Sequence, residues 1–310
     1  MGIMKILCAG LAVCDILIKP VTAECLERDT STADTIKIAS GGDALNVAIN
    51  LARLGVNASL VTCVGDDEMG QILTRSAVNA GVDISGVKTR ECATSSSAVL
   101  IRPDGERSFI SFKGACHTLS EKDILDGQLR NNDIFYLGSA FDLPEIDGDG
   151  IGILFQRAKA AGMVTALDVT SDLSRKHLDK LLPVFPNLSF FMPSQNQAEQ
   201  LSGESNPQKA AELFLSLGCE TAVIKLGEKG CLVMSDGLCI RSPAFKIDAI
   251  DTTGAGDSFV SGFLSGIARN YDIGKCAEFG NAAGALCACS IGATGAVKSL
   301  GQLEEFIKNE

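Results

Sequence analysis

Short strand-like runs alternate with helical runs along most of this chain, and that alternation restricts the fold more than any other feature. Strand-like apolar runs cover residues 5–11, 58–64, 134–137, 164–168, 189–192 and 221–225. Apolar residues at helical spacing cover 44–54, 69–80, 151–161 and 207–217. Gly55, Gly81, Gly162 and Gly218 follow these four helices, where a left-handed cap is needed. A βα alternation of this kind predicts a mainly parallel central sheet covered by helices, a three-layer α/β/α domain.

Residues 16–38 and 87–112 break the rhythm. They lack helical periodicity and carry short alternations, as in Ala98-Val99-Leu100-Ile101 and Ser108-Phe109-Ile110-Ser111-Phe112, around the turn Arg102-Pro103-Asp104-Gly105-Glu106. They predict a small β lid, and residues 1–15, 39–86 and 113–310 form the large α/β domain. No linker, repeat or low-complexity tract separates independent units.

With 310 residues the chain is long enough to bury a sizeable core. Its 12 cysteines include no CxxC pair, so neither a zinc knuckle nor a redox motif is indicated, and reduced thiols in the cytoplasm are expected. A formal net charge of -11 disfavours nucleic acid as a partner. The two histidines, His117 and His177, are too few for a His-rich metal site and read as surface residues. The start of the chain reads as a buried strand, without a targeting signal. The most apolar stretch, 282–293, is shorter than the roughly 20 residues a bilayer requires, so no membrane association is expected.

Two glycine turns carry the chemistry. Asp251-Thr252-Thr253-Gly254-Ala255-Gly256-Asp257-Ser258-Phe259 leads into the helical run 259–269 and follows 244–250, whose apolar residues alternate as in a half-buried strand. The first amides of a helix have no intrahelical partner and carry the positive end of its dipole, so the small residues at 254–256 suit an oxyanion. Asp at such a place can cap the helix. Beside a phosphate it repels the ligand unless it accepts a proton from an attacking hydroxyl, so the arrangement points to phosphoryl transfer. The second turn is Ser40-Gly41-Gly42-Asp43-Ala44-Leu45-Asn46, which sets Asp43 and Asn46 on adjacent helical turns.

The nine-residue string resembles the signature of the ribokinase-like, or PfkB, carbohydrate kinases, and the likeness runs from Asp15 to Asn281. It implies a ribokinase-like α/β fold and an ATP-dependent kinase acting on a sugar or sugar-like small molecule. In that likeness Asp257 is the catalytic base and the Gly254, Ala255 and Gly256 amides form the anion hole. Asp15, Gly41, Gly42, Asp43 and Asn46 would bind the acceptor. Lys225, Gly227 and Gly230 would line the nucleotide, with Asn281 near the adenine. Mg²⁺ would bridge the phosphates, and a monovalent cation such as K⁺ would meet Asp251 and Thr253. The lid would cover the sugar and form part of a homodimer interface.

Two departures matter. Where ribokinases proper carry Lys, this chain has Asp43; its Gly-Gly-Asp start resembles some 2-keto-3-deoxygluconate kinases, whose acid group Arg102, Arg107 or Lys113 would receive. Where the family has Pro-Asn-x-x-Glu, with the Glu organising magnesium, this chain reads Pro193-Ser194-Gln195-Asn196-Gln197. A nucleoside kinase, with Phe109 or Phe112 against a base, and a sugar-binding regulator without turnover stay open.

Overall fold

A strand covered on both faces needs no polar alternation, and the apolar runs of this chain supply the central strands of a single sheet, with more polar, exposed strands at its two edges. The computed structural model describes residues 2–171 and 178–309. Its strands are β1 (Ile6–Ala9), β2 (Val13–Lys19), β3 (Thr35–Gly41), β4 (Ala58–Gly65), β5 (Asp83–Arg90), β6 (Ser96–Ile101), β7 (Arg107–Phe112), β8 (Ile134–Ala140), β9 (Val164–Val169), β10 (Phe190–Phe191), β11 (Thr221–Lys225), β12 (Cys231–Ser235) and β13 (Leu238–Ser242). The large sheet runs β13-β12-β11-β10-β9-β8-β1-β4-β5 and is parallel from β11 to β5. β12 and β13 add an antiparallel hairpin at one edge. Every residue of β1 and β8 is buried, which places the sheet centre under helices on both faces.

The smaller sheet has the order β3-β2-β6-β7. Its register puts Asp15, Ser97, Val99 and Phe109 on one face, and Ile16, Ile38, Ala98 and Ile110 on the other. The inner face carries a small cluster of Leu17, Val99 and Ile101. Residues 87–90, expected in the lid, extend β5 instead and pair with β4 in the large sheet.

Four more differences from the sequence reading are structural. Residues 244–250 form no strand; they run without a strand partner, with the Phe245 ring tilted against Phe306, centroids 5.2 Å apart, and Ile247 facing a cavity. They line the cavity with side chains of both parities, so the alternation does not mark one buried face. The β12–β13 hairpin and the helix Leu300–Asn309 had no counterpart in the reading. His117 is partly buried, with Nε2 3.2 Å from Asp142 Oδ1, whereas His177 lies outside the described residues. All 12 cysteines are free. Among the described residues no helix is long and apolar enough to cross a membrane.

Candidate active site

In a parallel sheet the crevice beyond the strands' carboxyl ends is where ligands collect. Ser139 near the end of β8, Asp168 in β9 and Lys225 at the end of β11 reach that edge. The helices Asp43–Arg53 and Ala255–Ala268 start over it and pack against one another.

The second helix opens at Gly254, its N-cap, which has φ +74°. A Cβ there would lie 2.4 Å from the Ala293 Cβ, so the turn requires glycine for both its conformation and its closeness to that loop. Asp257 is thus inside the first turn and does not cap it. Its Oδ2 instead accepts a 2.8 Å hydrogen bond from Asn46 Nδ2. Burial pushes the Asp257 carboxyl above the usual carboxylate range; the Asn46 donor opposes this, Asp168 reinforces it and Lys225 counters it.

Asp43 begins the other helix, where Ser139 Oγ and the Ala44 amide donate to its Oδ1. Asp15, on β2, rests against Gly41. Burial and then the charge of Asp257 push Asp15 up to about 7, and the same two causes lead for Asp43, also up to about 7. These carboxylates therefore sense one electrostatic environment. Lys225 is the nearby cation. It is ion-paired with Asp168, both side chains are nearly buried, and its Nζ lies beside Gly256.

One cavity of about 970 Å³ is lined by Asp43, Asp257, Ala255, Gly256, Lys225, Gly227, Gly230 and Asn281. Asn46 joins it through Asp257. Three nucleotide-side residues also have structural duties. Gly230 packs against the Ser242 carbonyl, and Asn281 Nδ2 donates to Ser242 and Pro243, holding the loop after β13. Gly227 has φ +61° in the turn after β11.

Ser194 and Gln197 line the same cavity as a capping box: the Ser194 amide donates to Gln197 Oε1 at 2.7 Å, and Gln197 Nε2 donates to the Val169 carbonyl at 2.7 Å. Gln197 is thereby committed to the backbone and is no metal ligand. Among the described residues no cluster of three or more His, Cys, Asp or Glu could hold a metal alone. Asp168 is charge-matched by Lys225, but Asp43 keeps an oxygen without a described donor, and one protein oxygen beside phosphates is within what Mg²⁺ uses.

Asp251 differs from its expected role. Oδ1 accepts from Arg107 Nη1 at 2.6 Å, from the Thr253 amide at 2.9 Å and from Thr253 Oγ1 at 2.6 Å, and Oδ2 accepts from the Gly292 amide at 3.0 Å. Arg107 Nη2 also donates to Thr252 Oγ1 at 2.9 Å. A lid guanidinium already matches the charge of Asp251, so Asp251 and Thr253 as arranged do not fit a monovalent cation. Asp168, Ser139 and Tyr136 were missed by the sequence reading. Asp168 ends the apolar run 164–167, a carboxylate at a strand's carboxyl end that could have been noticed, whereas Ser139 and Tyr136 carry no comparable signal.

The family model described as pfkB family carbohydrate kinase matches residues 4–300. The chain is 28% identical over 289 residues to a ribokinase of Haemophilus influenzae, covering 91% of this chain and 91% of that one. It is 32% identical over 286 residues to an aminoimidazole riboside kinase of Salmonella typhimurium, covering 87% and 88%. A crystal structure from E. coli in complex with ATP and Mg²⁺ has the same fold, with a TM-score of 0.88 at 24% identity over 99% of this chain and 100% of that one.

Proposed function

We propose that this chain, which belongs to the pfkB family of carbohydrate kinases and is a phosphotransferase with an alcohol acceptor, moves the γ-phosphate of ATP to a hydroxyl of a small sugar, with Asp257 as the base. The observation that carries this reading is the half-buried Asp257 carboxylate, held by Asn46 in the first turn of the helix that Gly254 opens.

The acceptor hydroxyl is far weaker as an acid than a carboxylic acid, so Asp257 takes its proton late, as the new P–O bond forms and the bond to ADP breaks. The Gly254 and Gly256 amides face the charge on the transferred phosphate, in a site where fixed dipoles need no reorganisation, whereas the expected third donor, the Ala255 amide, is bonded to the Thr252 carbonyl at 3.2 Å. Lys225, beside Gly256, adds a positive charge at the same place. When bound with the nucleotide, Mg²⁺ would neutralise phosphate charge, and Asp43 is the residue that would help hold it. A monovalent cation is not part of this proposal, because Arg107 occupies Asp251. The β2–β3–β6–β7 lid closes over the acceptor and excludes water.

The outer face of the lid exposes Ile36, Ile38, Ile110 and Phe112, with Ile36 at 69% and Ile110 at 64%. An apolar strip of this kind suits a second copy of the chain, and a homodimer is proposed. Light scattering of the purified protein checks it; a monomer at micromolar concentration excludes it. A cytoplasmic location is proposed from the nucleotide it uses and its free thiols.

A nucleoside acceptor is the second reading. Phe109 stands on the Asp15 face of the lid and is 56% exposed, so its ring is available to a base; Phe112 lies on the opposite face and is not. ADP release from MgATP across ribose, fructose, 2-keto-3-deoxygluconate and adenosine separates these readings. A sugar response supports the first, an adenosine response the second, and ATP binding without turnover on any polyol would favour a regulator.

A further inference from the structure

Arg107 is the first residue of β7 and sits at the far end of the lid. It pairs with Ile101, so it shares the lid face of Val99, Phe109 and Asp15. From there its guanidinium leaves the lid and meets Asp251 and Thr252 with separate nitrogens. The lid's other arginines are used within it: Arg28 pairs with Glu24, and Arg102 with Asp104 and Glu106. Among the described residues, the ion pair that joins a lid strand to the large domain is therefore Arg107–Asp251.

Asp251 is the hub beneath the anion turn. It accepts from the Thr253 amide and hydroxyl on one side and from the Gly292 amide on the other, so it fastens the 251–254 turn to the 290–294 loop. That loop also meets the base of the lid, where Ser40 Oγ on β3 lies 3.1 Å from Thr294 Oγ1. Burial works against the Asp251 charge, but the Thr253 and Gly292 donors and the Arg107 charge outweigh it and hold the carboxyl below the usual range. The Asp251 side chain is 9% exposed and that of Arg107 22%, so the charge on Asp251 needs its partner inside the protein.

Arg107 supplies this partner at the place where the family resemblance puts a free monovalent cation. A free ion does not move with the lid. A guanidinium carried on β7 reaches Asp251 only while the far end of the lid lies against the anion turn. Its planar fork also fixes the approach, since one nitrogen bonds Asp251 and another bonds Thr252.

We propose, on the kinase reading given above, that Arg107 is a positioning residue with two duties. It is the built-in cation that sets the anion turn through Asp251, and it is the tether that makes this setting depend on the lid being down over the acceptor. The charge acts on turnover, because it fixes the turn whose amides meet the transferred phosphate. The tether acts on acceptor binding, because it holds the Asp15 face of the lid over the site.

The test removes the side chain and returns the charge separately. The acceptor is whichever of ribose, fructose, 2-keto-3-deoxygluconate and adenosine the wild type phosphorylates fastest. Arg107→Ala should lower kcat about tenfold and raise the acceptor KM by a similar factor. K⁺ or guanidinium at millimolar concentration, with choline holding the ionic strength, should restore kcat saturably and leave the KM raised. Arg107→Lys, which keeps a tethered charge, should need neither ion. The same ions should raise the Tm of Arg107→Ala without nucleotide or acceptor, but not that of wild type or of Arg107→Ala/Asp251→Asn, which has no charge to match. Circular dichroism establishes that the variants are folded. If the wild type phosphorylates none of these acceptors the kinase reading fails, and the Tm comparison still decides on the built-in cation. No effect of either ion on folded Arg107→Ala, or an effect that persists in the double variant, would overturn the built-in cation. Recovery of the acceptor KM with the free ion would overturn the tether.

Discussion

Asn46 Nδ2 donates to Asp257 Oδ2 at 2.8 Å, joining the two glycine-turn helices across 211 residues of chain. The bond favours the ionised carboxyl, against the burial that pushes it up. Asn46→Ala removes that support, so Asp257 stays protonated to a higher pH. The acid limb of kcat/KM against pH is expected to move toward alkaline values, with turnover at pH 7 falling about tenfold or more. The limb reports Asp257 together with Asp43, because the two charges interact. An unmoved limb would remove Asn46 from this role.

Asp15 and Asp43 are each pushed up to about 7 in the folded state, so between the ordinary carboxylate range and that value the folded protein binds more protons than the unfolded chain. These groups therefore stabilise the ligand-free protein below the unfolded value, and the contribution is lost as pH rises through about 7. The Tm of the ligand-free protein should fall from pH 5 to pH 8, and Asp43→Asn should flatten part of that slope. A slope of the opposite sign in wild type, shared by the variant, would contradict the assignment.

Lys225 and Asp168 form an ion pair with side chains 12% and 6% exposed. Lys225→Met leaves a buried carboxylate uncompensated, at a cost of about 3 kcal/mol or more. The double variant Asp168→Asn/Lys225→Met should lose less than the sum of the single changes, since neither charge is stranded. Urea denaturation measures both. The ATP KM should rise in each variant that lacks Lys225.

Arg107 bridges the lid to Asp251 and Thr252 at the entrance of the anion loop. Exchanging K⁺ for choline at constant ionic strength should leave wild-type turnover unchanged. Arg107→Met frees the Asp251 carboxylate and should make turnover respond to K⁺ while raising the acceptor KM. Strong K⁺ activation of the wild type, unaltered in the variant, would show that the ion and the arginine act at different places.

Much of the fold is legible in the chain because uninterrupted apolar runs and the glycines that follow helices are local signals. Residues 221–225 form β11 with the predicted bounds, and the helix predicted over 259–269 begins earlier, at Ala255, which brings Asp257 into its first turn. Residues 244–250 mislead, since their apolar residues pack on Phe306 and line the cavity from an unpaired segment, without strand partners. Ser139 and Tyr136 are hard to read because each sits among apolar neighbours, whereas Asp168 is legible as a carboxylate at a strand end; only the parallel order β9-β8-β1 brings the three together. Arg107 has a helpful local pattern, a charged residue on a lid strand, but its partner lies 144 residues away. Nothing in the spacing connects the two.

The most direct measurement is ADP release from MgATP by Asp257→Asn beside wild type, with ATP binding followed by calorimetry in both. Loss of the base should lower kcat by about 10³-fold or more, while ATP binding and the folded state persist. Near-normal turnover in the variant would contradict the central claim that Asp257 receives the acceptor's proton.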